Sequence, residues 1–233
     1  IYVARKDSPM ILGVANGESY IGSDVPAILK YTRDVYYIGN QEMARVRKGE
    51  ITFYNLDGEE IEKELKTVEW DAEAAEKSGY EHFMIKEIHE QPKAVSDTLN
   101  SVIKDGMIDL SEVGLSEEEI KEISQIYIVA CGSAYHVGVA AQYVMEDLAR
   151  IPVRVELASE FRYRNPILDP KGLVVIISQS GETADSLAAL RESKKQGVKT
   201  LGIVNVIGSS IAREADNVYY TLAGPEIAVA TTK

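Results

Sequence analysis

Three hydroxyl side chains and one glutamine lie within six residues of this sequence, at Ser178, Gln179, Ser180 and Thr183. The run before them, Leu173–Ile177, is apolar, short and rich in β-branched residues, which predicts a strand buried on both faces of a parallel sheet. After them, apolar side chains recur at helical spacing up to a glycine that can end the helix. The polar side chains therefore occupy a turn between the carboxyl end of a strand and the amino end of a helix.

A turn of this kind can bind an anion, and phosphate in particular. The first N–H groups of a helix have no partner within the helix, and the helix dipole adds partial positive charge there. Hydroxyls can donate beside those amides, and Gly181 lets the backbone approach a bound group closely. An ordinary N-cap at Ser180 is the simpler alternative. Three hydroxyls with Gln179 and Gly181 favour a phosphate site, because ligands of open α/β sheets bind at the carboxyl ends of strands.

Two further turns of the same type follow other predicted strands. Ser133 comes directly after the apolar run Ile126–Ala130 and the pair Cys131-Gly132. By itself Ser133 is typical of a helix cap, but its place at a second strand end predicts that it shares the phosphate site. Cys131 is typical of a core residue, because it adjoins an apolar strand and no partner pattern accompanies it. The third turn, Gly208–Ser210, lacks a glutamine and a threonine and is more typical of a cap.

The elements that position these turns alternate between strand and helix over the second half of the chain. Helices of this length between strands produce right-handed βαβ crossovers, and hence a parallel sheet covered by helices on both faces. The predicted class is therefore α/β with three layers. The predicted strands are 126–130, 153–157, 173–177, 201–206 and 218–222, and the predicted helices are 134–150, 183–196 and 209–214.

The first half of the chain has a different pattern. Residues 1–67 contain short strand candidates separated by turn residues, and Asp57-Gly58 predicts a β-hairpin. Residues 68–80 are polar and acidic, which is typical of an interdomain linker. The third segment, 81–233, begins with a predicted helix over 82–104, kinked at Pro92, and a short one from Ser116 to Ile123. The predicted domains are 1–67 and 81–233, joined by the linker.

The composition of the chain limits the kinds of molecule that it can bind and the kinds of site that it can form. The net charge of −12 argues against nucleic acid and against an anionic membrane surface. A single cysteine among 233 residues excludes an internal disulfide and fits a cytoplasmic location, and no apolar run approaches the ~20 residues of a membrane span. His82 and His89 share a helix face, but no third ligand pattern makes them a metal site. The chain begins at Ile1 and ends at Lys233, and we expect it to be a piece of a longer protein.

The run Ser178-Gln179-Ser180-Gly181-Glu182-Thr183-Ala184-Asp185-Ser186 resembles the phosphosugar-binding turn of sugar isomerase (SIS) domains. A wider set of segments is similar to a family of glutamine-dependent aminotransferases that contain SIS domains. The set consists of Ala130–Ser133, Glu156–Arg164, Ser178–Thr183 and Glu226–Lys233. The resemblance implies an SIS-type three-layer αβα fold. Residues 81–233 would contain the first SIS half, and the β-rich residues 1–67 before it would be the end of an N-terminal nucleophile glutaminase domain.

The resemblance also implies the site. The residues expected to contact the sugar phosphate are Ser133, Ser178, Gln179, Ser180, Thr183 and Val229. Ala134 replaces a hydroxyl residue of the family pattern, which puts one phosphate contact in question. The glutaminase residues are expected before Ile1, and the acid–base residues of the sugar site after Lys233. No catalytic residue is therefore expected within the chain, which is expected to be inactive by itself.

The implied activity is that of a transferase that makes glucosamine 6-phosphate and glutamate from fructose 6-phosphate and glutamine. The resemblance implies no cofactor and no metal, and a homodimer formed through the SIS domain. Two alternatives remain: a non-enzymatic SIS module that binds a sugar phosphate for regulation, and a different sugar-phosphate isomerase. The β-rich segment 1–67 disfavours both, because it resembles the end of a glutaminase domain.

Overall fold

The computed structural model of the chain describes residues 1–6, 9–68, 77–228 and 231–233. These residues form two compact units, Ile1–Lys86 with Pro225–Ile227, and Glu87–Gly224 with Ala228–Lys233. Most of the predicted linker 68–80, namely residues 69–76, lies outside the described residues. The predicted domain boundaries therefore stay predictions.

The first unit is built mainly of antiparallel strands in two four-stranded sheets, ordered β1-β5-β6-β7 and β3-β2-β4-β8. Successive side chains of β2 face opposite ways: Ile11 packs in a cluster with Val25 and Val35, whereas Leu12 packs with Phe53 of the other sheet. The hairpin predicted at Asp57-Gly58 is confirmed by the antiparallel pairing of β6 with β7. The elements are β1 Tyr2–Ala4, β2 Ile11–Ala15, β3 Glu18–Gly22, α1 Val25–Ile28, β4 Asp34–Tyr37, β5 Met43–Arg47, β6 Glu50–Tyr54, β7 Glu60–Ile61 and β8 Lys66–Thr67.

Helix α2, Phe83–Asn100, continues through Pro92 and ends four residues earlier than predicted. The prediction missed a hairpin, β9 Ile103–Lys104 with β10 Met107–Ile108. Its turn residues, Asp105 and Gly106, both have positive φ, as the favoured two-residue hairpin turn requires. After a 3₁₀ turn at Ser111–Val113, the short helix predicted from Ser116 is present as α3, Glu117–Glu122, and it begins with a capping box of Ser116 and Glu119.

The second unit contains a five-stranded sheet in which every pairing is parallel, in the order β12-β11-β13-β14-β15. The predicted α/β class is confirmed, and every predicted strand and helix of this part is present within a few residues of its predicted ends. The elements are β11 Gln125–Ala130, α4 Gly132–Ala149, β12 Val153–Leu157, α5 Ala158–Phe161, β13 Gly172–Ser178, α6 Ala184–Lys195, β14 Lys199–Val204, α7 Ser210–Glu214 and β15 Asn217–Tyr220.

Strand β13 is buried on both faces, as its unbroken apolar sequence predicts. Val174 and Ile176 pack in one core cluster with Leu187 of α6. Leu173 and Val175 pack in a second cluster, against which Met145 of α4 lies. Helices therefore cover both faces of the sheet in three layers. None of the described helices is long and apolar enough to cross a membrane.

The strand order determines where a ligand can bind. From β11 the chain crosses to β12 on one side, and from β12 it crosses back to β13 on the other side of β11. The connection that leaves β11 leads to β12, and the one that leaves β13 leads to β14 on the opposite side, which opens a crevice at the carboxyl ends of these two strands. The crevice of this sheet is thus expected where β11 and β13 end.

Candidate functional site

The turns that follow β11 and β13 lie next to each other at the carboxyl edge of the sheet. The two strands are parallel neighbours, with Ala130 opposite Ile177. The structure therefore brings the turn containing Ser133 and the turn Ser178–Thr183 to the same edge of the sheet. Ser133 is exposed in the first turn of α4, on the solvent side of that edge.

The hydroxyls of the second turn organise its backbone. Ser178 Oγ lies 2.9 Å from Thr183 Oγ1 and accepts a hydrogen bond from the Gly181 N–H at 3.1 Å. The Glu182 N–H donates to Ser180 Oγ at 3.2 Å. Ser178 is only 4% exposed, so its hydroxyl lies at the base of the turn. Its predicted contact with a ligand stays a prediction, and its internal role is the observed one.

Helix α6 begins without a side-chain cap. Thr183 is the N-cap residue, and its carbonyl accepts the first helical hydrogen bond, from the Leu187 N–H at 2.9 Å. The Thr183 hydroxyl is directed to Ser178 instead of to the helix amides. The alternative that Ser180 is the N-cap is therefore wrong. The amino end of α6 keeps its first amides clear of a capping hydroxyl, as an anion site requires.

Gly181 is required by packing against a neighbouring turn, which the sequence argument missed. Its φ is +65°, and a Cβ at this position would lie 2.0 Å from Ser209 Oγ. The Gly181 carbonyl accepts from the Ile211 N–H at 3.0 Å, and Glu182 Oε1 accepts from the Ser210 N–H at 2.8 Å. The turn after β14 thus supports the turn after β13 from one side.

This contact changes the interpretation of Gly208–Ser210, which the sequence predicts as a helix cap. Ser209 is the N-cap residue of α7, but its side chain makes no capping hydrogen bond. The carboxylate of Glu182 binds the Ser210 N–H in its place. The cap is therefore supplied by a residue from the turn Ser178–Thr183, 28 positions earlier in the chain.

Asn205 is a further residue that sequence analysis did not identify. It is 6% exposed, and its N–H donates to the Gln179 carbonyl at 3.0 Å. Its side-chain amide donates to the Gly224 carbonyl at 2.7 Å and accepts from the Ala223 N–H at 3.0 Å. Asn205 thereby joins the turn Ser178–Thr183 to the segment that follows β15. An asparagine after an apolar strand was the available signal.

Of the remaining residues named from the sequence, the structure describes Cys131 and Ala134 but not Val229. Cys131 packs partly buried against the core, with Sγ 4.0 Å from Ser186 Oγ, which fits its predicted core role. Ala134 is buried at 9% exposure, and its side chain brings no hydroxyl to the site. Val229 lies outside the described residues. One residue before it, the Ala228 N–H donates to Glu87 Oε1 at 3.0 Å, and Glu87 is 2% exposed on α2.

Within the described residues, histidine, cysteine and acidic side chains form no group of three or more that could hold a metal ion. Glu182 lies within the turn and Asp185 lies two residues after it, and both carboxylates have partners. Glu182 binds the Ser210 N–H, and Asp185 Oδ1 accepts from Arg162 Nη1 at 2.7 Å. The arrangement is suited to holding an anion through amides and hydroxyls.

Comparisons with known proteins show what the chain resembles in sequence and in fold. Residues 119–233 match the SIS domain family. The whole chain is 56% identical over 234 residues to glutamine–fructose-6-phosphate aminotransferase [isomerizing] of Caldanaerobacter subterraneus subsp. tengcongensis, and equally identical to that of Clostridium acetobutylicum. In both comparisons all of this chain is covered, and it spans 38% of the length of the relative.

Solved structures show the same likeness. The C-terminal domain of glucosamine-fructose-6-phosphate aminotransferase from Francisella tularensis is 47% identical, with a TM-score of 0.61. The match covers 65% of this chain and 43% of that domain's chain. A second solved structure, of a protein from Clostridium difficile 630, shares the fold at 20% identity and a TM-score of 0.53.

Proposed function

Since the chain belongs to the glutamine–fructose-6-phosphate aminotransferase family and carries an SIS domain over residues 119–233, we propose that it supplies phosphosugar-binding residues to such an enzyme. The reaction transfers the amide nitrogen of glutamine to fructose 6-phosphate and yields glucosamine 6-phosphate and glutamate. In this reaction the chain binds the sugar phosphate and orients it. No residue from 1 to 233 is assigned a catalytic acid, base or nucleophile.

The observation that carries the proposal is the turn Ser178–Thr183 at the amino end of α6. Ser180 and Thr183 are half-buried, so both can reach a ligand at the carboxyl edge of the sheet. Ser178 and Thr183 share one hydrogen bond between two hydroxyls, which leaves one hydroxyl proton to donate to a phosphate oxygen. Hydrogen bonds to a charged group contribute about 1.5–3 kcal/mol each. A few such bonds hold a phosphate without any lysine or arginine.

The other predicted contacts complete the proposed site. The side chain of Gln179 is half-buried in the same turn, and its backbone is held by Asn205. Ser133 approaches from the turn after β11, and Val229 is proposed to line the sugar through its backbone. A phosphate held at the crevice fixes the sugar in position relative to the catalytic groups of the complete enzyme, which is how bound orientation lowers a barrier.

The regulatory alternative, a non-enzymatic SIS module, has less support. The SIS match covers residues 119–233, whereas the similarity to the aminotransferases covers the entire chain. Residues 1–118 are therefore similar to the same enzymes as the SIS domain. The same observation disfavours an unrelated sugar-phosphate isomerase, for which residues 1–67 would have no counterpart.

Two finer points belong to the proposal. The protein is proposed to act in the cytoplasm, where its substrates are metabolised. It is also proposed to form a homodimer through the SIS domain. Helix α4 supports this, because its outer face exposes apolar side chains to solvent. They are Val137, Tyr143, Val144 and Leu148.

Calorimetric titration with fructose 6-phosphate tests the proposed site. Ser180→Ala and Thr183→Ala should each bind about ten- to a hundredfold more weakly than the parent, which is the loss of one charged hydrogen bond. Ser124→Ala is the matched control. Its hydroxyl binds Asp169 just before β11, at the opposite edge of the same sheet, and its affinity should not change. Parental affinity in both site variants would place the phosphate elsewhere.

A further inference from the structure

Asp185 places a carboxylate in the first turn of α6, two residues after Thr183. A carboxylate there stabilises the helix, because it faces the positive end of the dipole. The same carboxylate repels a phosphate dianion bound at that helix end. Arg162 Nη1 donates to Asp185 Oδ1 at 2.7 Å. We propose that Arg162 is a positioning residue that neutralises Asp185 and so keeps the amino end of α6 attractive to a phosphosugar.

This inference rests on the proposed phosphosugar site and deepens it, since it names the residue that controls the charge at that site. The chain has a net charge of −12, so long-range attraction for an anion is not available to compensate a local repulsion. One uncompensated carboxylate beside the phosphate would therefore reduce affinity directly. The ion pair with Arg162 removes this loss of affinity, and Asp185 still stabilises the first turn of α6.

The position of Arg162 is fixed by the core. Arg162 follows α5 directly, and its N–H donates to the Ala158 carbonyl at 3.1 Å. The preceding residue, Phe161, is fully buried in the cluster that contains Leu187 of α6. The guanidinium carbon of Arg162 also lies 4.8 Å from the centre of the Tyr163 ring. The arginine is thus held against the start of α6 by packing as well as by charge.

Partial burial makes the pair effective. The side chains of Arg162 and Asp185 are 30% and 37% exposed, so solvent screens their attraction less than that of a fully exposed surface pair.

Arg164, two residues later, forms a different pair. Its Nε donates to Glu156 Oε2 of β12 at 2.7 Å. Arg164 is therefore a matched control of the same residue type in the same segment.

The test is a double-mutant cycle in the intact protein, with the affinity for fructose 6-phosphate measured by calorimetry. The variants are Arg162→Gln, Asp185→Asn and the double variant, with Arg164→Gln as control. At pH 8 the phosphate is a dianion, because its second pKa is about 6. Low ionic strength keeps the local charges unscreened.

Arg162→Gln should weaken binding about fivefold or more, because Asp185 is then an uncompensated anion beside the phosphate. Asp185→Asn should bind at least as tightly as the parent, and the double variant should recover the affinity of Asp185→Asn to within about twofold. The loss in Arg162→Gln should shrink at ~0.5 M salt. Arg164→Gln should bind like the parent.

A double variant as weak as Arg162→Gln would overturn the proposal, since a direct contact or a folding role of Arg162 predicts no rescue by Asp185→Asn. Parental affinity in Arg162→Gln would overturn it as well. If Thr183→Ala is weak in the same assay while Arg162→Gln is normal, only this inference fails. A parent protein that binds fructose and fructose 6-phosphate alike refutes the proposed function itself. If Arg162→Gln also lowers the melting temperature, the affinity of Asp185→Asn still tests the proposal. A structural role of the ion pair predicts weaker binding in Asp185→Asn, whereas charge neutralisation by Arg162 predicts no loss.

Discussion

The hydroxyl oxygens of Ser178 and Thr183 lie 2.9 Å apart and join the two ends of the turn between β13 and α6. Only one of the two hydroxyl protons is used in this bond, so the pair offers the other to a ligand. Ser178 Oγ also accepts from the Gly181 N–H, which sets the path of the backbone between them. The two side chains therefore act as one unit in the turn.

That coupling predicts non-additive mutations. Ser178→Ala and Thr183→Ala should each weaken binding of fructose 6-phosphate, but the double variant should lose less than the sum of the two free energies. Each single variant already breaks the shared bond, so the second change removes less. A double-mutant cycle by calorimetry measures the coupling. Strictly additive losses would mean that the two hydroxyls contact the ligand independently.

Gly181→Ala should destabilise the protein by about 2–4 kcal/mol, since it combines left-handed strain with overpacking against Ser209. Gly197→Ala is the matched control, because Gly197 has a φ of +75° and no atom of the described residues lies within 4 Å of the added Cβ. It should cost about 1 kcal/mol, from backbone strain alone. Urea unfolding of both variants isolates the steric part, and equal costs would contradict the packing role of Gly181.

Phosphate anchoring predicts a clear ligand preference. Fructose should bind hardly at all, whereas fructose 6-phosphate should bind with an affinity that changes only modestly between low and ~0.5 M salt. Short-range hydrogen bonds to amides and hydroxyls carry the attraction in a chain of net charge −12, and salt screens these bonds weakly. Titrations of both sugars at both salt concentrations measure this. Comparable affinity for the two sugars would show that the phosphate is not the anchor.

Asp216 predicts a pH-dependent contribution to stability. Burial raises the pKa of its carboxyl, but hydrogen bonds from Lys194 and Thr200 outweigh burial and lower the pKa below its ordinary value of 3.8. A pKa lower in the folded state gives stability that is present above pH 3.8 and lost as the pH falls through the folded value. Asp216→Asn should therefore cost about 1–2 kcal/mol at pH 7 and progressively less below pH 4.

Chemical denaturation of the parent and of Asp216→Asn between pH 7 and pH 3 measures that difference. Asp147→Asn is the control, because the Asp147 side chain is 83% exposed and lies 3.9 Å from Arg150. Its stability should follow the parent at every pH. If the difference in unfolding free energy between Asp216→Asn and the parent stays constant down to pH 3, the ionic role of Asp216 is contradicted.

The sequence by itself determined the alternation of strands and helices, the double-sided burial of β13 and the turn that carries Ser178, Ser180 and Thr183. Each depends on residues close together in the chain: apolar periodicity, turn residues and caps act over one or two turns of backbone. The same local signals placed the capping box at Ser116 and the hairpin at Asp57-Gly58.

The tertiary structure decided the features that depend on contacts between distant residues. The strand order places the Ser133 turn beside the turn Ser178–Thr183, because β11 and β13 are parallel neighbours although β12 lies between them in sequence. Packing against Ser209 explains Gly181, and Asn205 reaches both Gln179 and Gly224. The ion pair of Arg162 with Asp185 spans 23 residues. Local patterns carry no record of such partners, since their positions follow only from how the strands and helices pack.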